Sequence, residues 1–272
     1  MTEQAAPIGP MGAMRRWASC AGSTAILVMS VSLAGCINFD SSFSGVPLDE
    51  IDMGSTAPVE FALAGPDDVF LTVGETFNIE VEGDDEAVDD LRFKLDGNSL
   101  TVGREGNWME SEGKATIRVT MPAPRSLSLA GSGDIAAETL AETAEVSLAG
   151  SGKINVASIE ADDLDVSVAG SGLLSAVGTA KSLGISIAGS GDIDFAGLNA
   201  DKAEISIAGS GDVELASDGE VEASIAGSGD VRVTGSASCQ SSSVGSGNVT
   251  CRPSKQTAGA AAADPEAPAS SD

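Results

Sequence analysis

The sequence contains no histidine and no tyrosine, and aromatic residues of any kind make up only 3% of its 272 residues. Most small globular cores use aromatic side chains to fill volume. A chain that lacks them needs a narrow interior that Val, Ile, Leu and Ala can fill alone, and repeat architectures supply such an interior. The length fits one all-β domain or two small ones.

Basic residues are also scarce, because 14 Lys and Arg stand against 41 Asp and Glu, for a formal net charge of −27. Nucleic-acid binding needs Lys and Arg clusters that neutralise phosphates, so the composition excludes nucleic acid as a partner. The same deficit argues against electrostatic adhesion to anionic membranes. The charge is typical of a soluble, self-repelling exported protein.

Residues 1–35 predict a lipoprotein-type signal peptide. Arg15 and Arg16 precede an apolar run that is shorter than the roughly 20 residues a membrane span requires. The run ends in Leu-Ala-Gly-Cys at residues 33–36, which resembles the bacterial lipobox, where a peptidase cuts before the cysteine and that cysteine is lipidated. Cys36 would then be the mature N-terminus, anchored by acyl chains such as palmitate. The alternative is an ordinary signal peptide with a chance cysteine.

Polar segments flank the predicted domain. Residues 36–55 predict a flexible tether and residues 254–272, rich in Ala, Pro and Ser, a disordered tail. Residues 56–253 remain as the folded domain. Ile37, in place of an aspartate, favours the outer membrane, while the membrane leaflet and the true start codon stay open.

An internal repeat is the strongest signal in the chain. Ala-Gly-Ser-Gly recurs at intervals of 18 to 20 residues, and apolar residues alternate with polar ones on both sides of it. Alternation is the period of a β-strand, and coils stacked about 4.8 Å apart would bury one continuous apolar strip. The sequence therefore predicts an all-β solenoid of about 19-residue coils over 125–253, with a β-rich cap and the first coils in 56–124. The repeats begin at Ala130, Ala149, Ala169, Ala188, Ala208 and Ala226, with a variant at Val244.

The glycines of these repeats have a structural explanation. A sharp turn between strands needs a positive φ, which glycine adopts without steric cost, and stacked glycines let neighbouring backbones approach closely. We predict structural turns at Gly131, Gly133, Gly150, Gly152, Gly170, Gly172, Gly189, Gly191, Gly209, Gly211, Gly227, Gly229, Gly245 and Gly247.

Two polar columns run along the predicted stack. Serines two residues before each Ala-Gly predict either an outward structural ladder or a flat binding face. Asp192, Asp212 and Asp230 follow successive turns, so they would repel each other unless solvated or bridged by a cation. The spacing does not match that of calcium-binding β-rolls, and we expect a solvated acidic stripe and no metal or other cofactor.

Cys239 and Cys251 form an even pair in an exported chain. Aligned on the repeat, both occupy inward positions that flank the last Gly-Ser-Gly. We predict a disulfide that closes the C-terminal end of the stack, and the alternative is two buried thiols.

Ile-Arg-Val-Thr-Met-Pro at residues 117–122, followed by serial Ser-x-Ala-Gly-Ser-Gly-Asp-Ile coils, resembles the auto-transporter adhesin head, GIN domain family. The resemblance covers about residues 57–252. It implies an exported bacterial protein with a single-stranded, right-handed parallel β-helix, and it offers no catalytic motif. The adhesin label itself transfers weakly from fold to function.

Three function classes remain open. The first is a non-enzymatic lipoprotein of the cell envelope with an adhesin-like or structural role. The second is a module that binds a glycan or another envelope component through the Ser/Gly faces, although no aromatic platform supports it. The third is a polysaccharide-active β-helix enzyme, which is disfavoured because Lys153, Lys181, Lys202 and Arg232 share no column. The ligand and the oligomeric state are not predicted.

Overall fold

The computed structural model describes residues 43–54, 56–106 and 113–252. They form a parallel β-solenoid of coils about 19 residues long, as the repeat predicts. The strands of the repeating part are β7 (Ser126–Gly131), β8 (Asp134–Ala137), β9 (Thr143–Gly150), β10 (Lys153–Gly170), β11 (Leu173–Gly189), β12 (Asp192–Gly209), β13 (Val213–Gly227), β14 (Asp230–Thr234), β15 (Ser238–Gly245) and β16 (Asn248–Arg252).

Each coil pairs in parallel with the next, and equivalent repeat positions stand opposite each other. Ile185 pairs with Ile205 across β11 and β12, for example, and Gly189 pairs with Gly209. Because side chains alternate along a strand, this register stacks inward residues on inward residues and outward residues on outward residues. Every coil therefore adds one layer to the same apolar interior.

Three straight segments make up one coil. In the coil of β12 and its neighbours, strict alternation of buried and outward residues breaks at residues 196–197 and again at 201–202, where two successive residues face outward. These breaks are the corners, at which the paired register also shifts. The interior of this coil holds aliphatic side chains and one phenylalanine, in keeping with the scarcity of aromatics. Its buried residues are Ile193, Phe195, Leu198, Ala200, Ala203, Ile205 and Ile207.

The front of the domain contains a coil that the repeat search does not detect. Its strands are β1 (Glu60–Gly65) and β2 (Asp68–Val73). Gly65 pairs with Gly131 of β7, and Val69 pairs with Ile135 of β8. This segment is thus part of the periodic stack, although its turn is Gly-Pro-Asp instead of Gly-Ser-Gly.

This first coil lies between two others that come later in the chain. On one side it pairs with β7 and β8, and on the other side with β5 (Ser99–Arg104) and β6 (Ala115–Met121). The spatial order of the layers is therefore β5–β6, then β1–β2, then β7–β8. From β7 onward the layers follow the chain order.

Antiparallel strands close the front end. β3 (Asn78–Gly83) pairs with β6, and β4 (Leu91–Asp96) forms a hairpin with β5. The acidic stretch between β3 and β4 contains a short helix, α1 (Asp85–Asp89). We call β3, α1 and β4 the capped end.

Part of the predicted tether packs on this capped end. Val46 and Phe93 of β4 exchange two backbone hydrogen bonds of 2.8 Å each. A single turn of 3-10 helix follows at Leu48–Glu50, and Leu48, Ile51 and Met53 pack against the core. The chain therefore enters the solenoid at its capped end.

The opposite end has no such cover within the described ranges. There β15 pairs only with β13, and β16 pairs only with β14. Nearly every residue of β15 is exposed. We call β15 and β16 the open end.

Candidate functional site

The turn glycines form two columns. The first glycine of each Gly-Ser-Gly has a positive φ, from 125° at Gly170 to 145° at Gly227. A Cβ on the second glycine would collide with the carbonyl oxygen of the equivalent residue in the preceding coil, as at Gly229 over Gly211. The serine between them donates its amide to the first glycine of that coil; Ser210 N lies 2.8 Å from Gly189 O. All fourteen predicted glycines occupy such turns, which makes them structural elements of the stack.

A strip of small side chains runs beside the turns on the outward face. Successive serines pair across every interface from β7 to β15, and so do the residues two positions later. We call this surface the Ser/Ala strip. It consists of Ser128, Ser147, Ser167, Ser186, Ser206, Ser224 and Ser242, with Ala130, Ala149, Ala169, Ala188, Ala208, Ala226 and Val244.

An acidic column borders the strip. Glu145 and Asp165 pair in register, and Glu204 pairs with Glu222 after an interruption at Gly184. Burial, together with the charge of Asp163, raises the pKa of Asp165 above its ordinary value. The Ser/Ala strip itself carries no charge, so an uncharged surface runs beside the acidic column.

Asp192 is exposed and Asp212 and Asp230 are partly exposed, and their carboxylates also accept backbone hydrogen bonds that the expectation of a solvated stripe did not include. The Asp192 carboxylate accepts the Asp212 amide at 3.1 Å, and the Asp212 carboxylate accepts the Asp230 amide at 2.8 Å. Asp230 in turn accepts the amide of Asn248 at 3.2 Å. These aspartates act as a backbone-binding ladder, which relieves the repulsion that equal charges at this spacing would cause.

Arg232 adds to this relief, since it lies 3.2 Å from Asp230 and 3.8 Å from Asp212. A shallow hollow of about 190 Å³ lies beside these groups. Within the part of the chain that the structure describes, no cluster of three or more potential metal ligands occurs. The ladder therefore carries out a structural task with its own hydrogen bonds.

The predicted disulfide is present between Cys239 and Cys251, whose Cα atoms are 6.7 Å apart. Cys239 pairs with Val221 and Cys251 with Val233, which are inward positions of the preceding coil. The bond links β15 to β16 at the open end. Cys36, the predicted lipidation site, lies outside the described residues.

One buried ion pair was missed by sequence reasoning. Asp67 and Arg104 have fully buried side chains. Arg104 Nε donates to Asp67 Oδ2 at 2.9 Å and Nη2 donates to Oδ1 at 2.5 Å, while Asp67 Oδ1 also accepts the amide of Ala115. The hydrogen bond to Asp67 raises the pKa of the Arg104 guanidinium. Asp67 is the last residue of the Gly-Pro-Asp turn in the first coil, so the ion pair joins this turn to the end of β5.

The basic residues of the coils are scattered, as the sequence predicts. Lys153 pairs with Asp134 and Leu173, Lys202 pairs with Ser182 and Glu220, and Arg232 pairs with Glu214 and Thr250. Lys181 forms an ion pair with Asp162. No two of these cations meet, so they provide no shared anion site.

Two hollows lie at the capped end. They have volumes of about 620 and 460 Å³ and flank the segment 44–52 where it crosses β4, with Phe93 lining both. Both are open to solvent. Among the described residues, no helix is long and apolar enough to cross a membrane.

Stacked coils, glycine turn columns and a single capped end define a parallel β-solenoid protein. The family model described as "Putative auto-transporter adhesin, head GIN domain" matches residues 59–237. The chain belongs to this family. A comparison with curated proteins finds no match.

Solved structures share the fold. A "putative adhesin" from Bacteroides fragilis superposes with a TM-score of 0.63 at 20% identity, covering 73% of this chain and 93% of that one. A "putative lipid binding protein" from Parabacteroides distasonis superposes with a TM-score of 0.55 at 24% identity, covering 74% of this chain and 94% of that one. A "putative adhesin" from Parabacteroides merdae superposes with a TM-score of 0.55 at 20% identity, covering 74% of this chain and 93% of that one. At these identities the likeness concerns the fold alone.

Proposed function

We propose that this chain is a non-enzymatic lipoprotein of the bacterial cell envelope, anchored through acyl chains on Cys36, whose solenoid serves as an adhesin-like interaction module. The lipobox-like residues 33–36 support the anchor. The family description supports the adhesin-like role. We further propose that the anchor lies in the outer membrane.

The direction of the chain supports this arrangement. The segment that follows the proposed anchor packs on the capped end through Val46 and Phe93. The open end lies about nine layers away, and at about 4.8 Å per layer this is roughly 40 Å. An anchored molecule would therefore hold its capped end toward the membrane side and carry the Ser/Ala strip outward.

The anchor can be tested in the native host or a bacterial expression strain. Cys36→Ser is expected to abolish incorporation of labelled palmitate and to move the protein from the membrane fraction to the soluble fraction. Cys20→Ser is the matched control, because this cysteine lies within the predicted signal peptide, and it should leave labelling unchanged. Labelling that survives Cys36→Ser would refute the proposed anchor.

Surface exposure is a separate question. Protease added to intact cells should degrade the solenoid if it faces outward, while a periplasmic marker protein stays intact. Protection of the solenoid in intact cells, with degradation only after lysis, would remove the adhesin-like role and leave a periplasmic one.

A second candidate function is binding of a glycan or another envelope component on the Ser/Ala strip. One observation favours it: the strip is a regular, uncharged surface of hydroxyl and methyl groups that runs from β7 to β15. Glycan-array binding by the unmodified domain should be lost in Ser206→Arg, which places a bulky side chain on the strip. Ser158→Arg, also exposed but away from the strip, should retain it. Absence of binding on the array argues against this candidate.

A further inference from the structure

The open end differs in charge from most of the molecule. From Gly235 to Arg252 the chain has no Asp, Glu or Lys, and Arg252 is its only charged residue, although the whole sequence carries 41 carboxylates. The outward residues of β15 are Ser238, Gln240, Ser242 and Val244. Proteins usually block an exposed edge strand with charges, prolines or a covering element. β15 has neither charge nor proline, and no described element covers its outer edge.

The capped end shows what such protection looks like. Its outer strands carry exposed charges at Glu80, Glu82 and Lys94, and α1 together with residues 46–53 adds a covering layer. The two ends are therefore not equivalent. Among the described strands at the two ends, β15 offers an uncharged edge for pairing.

The end face of the core is also polar at β15. Ser241 and Ser243 occupy the positions that Ala223 and Ile225 hold in the coil beneath. Hydroxyls both donate and accept hydrogen bonds, as do the free backbone groups of an edge strand. A surface of such groups is complementary to a copy of itself, which is what an isologous interface requires.

We propose that the open end is a homodimer interface, in which β15 of one molecule pairs antiparallel with β15 of a second copy across a twofold axis. The twofold axis closes the assembly at two molecules, because each open end is used up. Head-to-tail growth is disfavoured, since the capped end presents charged antiparallel strands. The inference does not depend on the lipid anchor and stands apart from it.

Electrostatics permits this contact despite the net charge of −27. Below β16 the nearest carboxylate is that of Asp230 in β14, which accepts the amide of Asn248 and forms an ion pair with Arg232. Below β15, the strand that pairs across the interface, the nearest carboxylates are Glu220 and Glu222 of β13. Across the paired β15 strands, equivalent carboxylates of the two copies would lie three layers, or about 14 Å, apart. This exceeds the Debye length of about 8 Å at physiological ionic strength, so their repulsion is largely screened.

Val244 provides an apolar contact at the same place. It ends the alanine column of the Ser/Ala strip and is 76% exposed, the highest exposure of the large exposed hydrophobic residues in the described ranges. Pairing of β15 with its copy would bring Val244 against the neighbouring strand and cover part of it. A charged residue at this position would instead face the uncharged partner strand without compensation.

Sedimentation equilibrium of residues 39–272, the unit that contains every described strand, tests the proposal. We expect a reversible monomer–dimer equilibrium at protein concentrations up to about 200 μM. The association is weak because the interface consists mainly of two paired strands of 8 residues each, which bury little surface. Val244→Lys should weaken the dimer at least tenfold. Ala188→Lys is the matched control, because Ala188 is exposed in the same column but lies in β11, which is paired on both sides, and its dimer constant should change less than twofold.

Three results would overturn the proposal. The first is a monomer throughout the concentration range. The second is a dimer that Val244→Lys and Ala188→Lys weaken equally, which would place the contact elsewhere. The third is a monomer that dimerises only after residues 254–272 are removed, which would make the chain's own tail the occupant of the edge. Circular dichroism and thermal unfolding of each variant verify that the solenoid is intact.

Discussion

The two ends of this solenoid solve the same physical problem differently. A stack of coils exposes unpaired strand edges and apolar interior at both ends. The capped end covers them with antiparallel strands and a helix, and it encloses the ion pair of Asp67 and Arg104. The open end replaces inward aliphatic residues by Ser241 and Ser243 and links its last strands through a disulfide. Burial stabilises one end, while polarity and a covalent bond protect the other.

The largest expected effect is at the capped end. Arg104→Met would leave the Asp67 carboxylate buried without its partner, and breaking a buried pair in this way typically costs about 3–5 kcal/mol. The free energy of unfolding in urea at neutral pH measures the loss. Arg232→Met is the control, because its ion pairs are half exposed and are expected to contribute less than about 1 kcal/mol. Equal losses in the two variants would mean that the buried pair does not hold the capped end together.

The next effect concerns the open end. The Cys239–Cys251 bond closes a loop with a sequence separation of 12 residues, for which the chain-entropy model gives about 3 kcal/mol. Replacing both cysteines by serine should therefore lower stability by roughly that amount or less. Hydrogen exchange should show faster opening of β15 and β16 and little change at β5 and β6. Uniformly faster exchange over the whole stack would contradict the view that the two ends are stabilised independently.

The smallest effect is a response to acid at the open end. The amide and hydroxyl of Ser236 lie 2.9 and 2.7 Å from Asp218 Oδ1, and these hydrogen bonds lower the pKa of Asp218. A carboxylate with a lowered folded-state pKa stabilises the protein above its unfolded pKa of about 3.9, and this contribution is lost as pH falls through the folded value.

We therefore expect the protection factor of the Ser236 amide to fall at acid pH in the natural chain and to lose this pH dependence in Asp218→Asn. The amide of Ser210, which donates to the carbonyl of Gly189, is the internal control and should not respond in this way. Equal responses at Ser236 and Ser210 would show that acid loosens the stack generally and not first at its open end.

Much of the solenoid was predictable because its information is local. The Gly-Ser-Gly spacing, the alternation around it and the inward alignment of Cys239 and Cys251 repeat within about 20 residues, and the structure confirms the fold and the disulfide. Phe195 is fully buried in the interior. Columns of equivalent residues follow directly from the parallel register.

The sequence placed the first coils within residues 56–124 but did not locate β1 and β2, because the turn between these strands has diverged. Phe61-x-Leu63-Ala64-Gly65 still matches Leu127-x-Leu129-Ala130-Gly131, so a search with a looser template would have found it. The residues that follow Gly65 differ from those that follow Gly131. Asp67, which contacts Arg104, stands at the position that Gly133 holds in the next coil. That contact joins residues 37 positions apart, and no local pattern indicates it. The aspartate ladder was missed for a related reason, since its partners are backbone amides of the next coil.

The position of the first coil has a consequence for how the protein folds. β1 can pair only after β5, about 39 residues later in the chain, and β7, about 66 residues later, are available. Each subsequent layer needs only the next 18 to 20 residues. Contacts between distant residues slow folding, because the loop entropy is lost before the contacts form. A chain exported from its N-terminus would thus assemble its front as a slow nucleus. The remaining coils could then add one after another, and the open end would be the last part of the molecule to form.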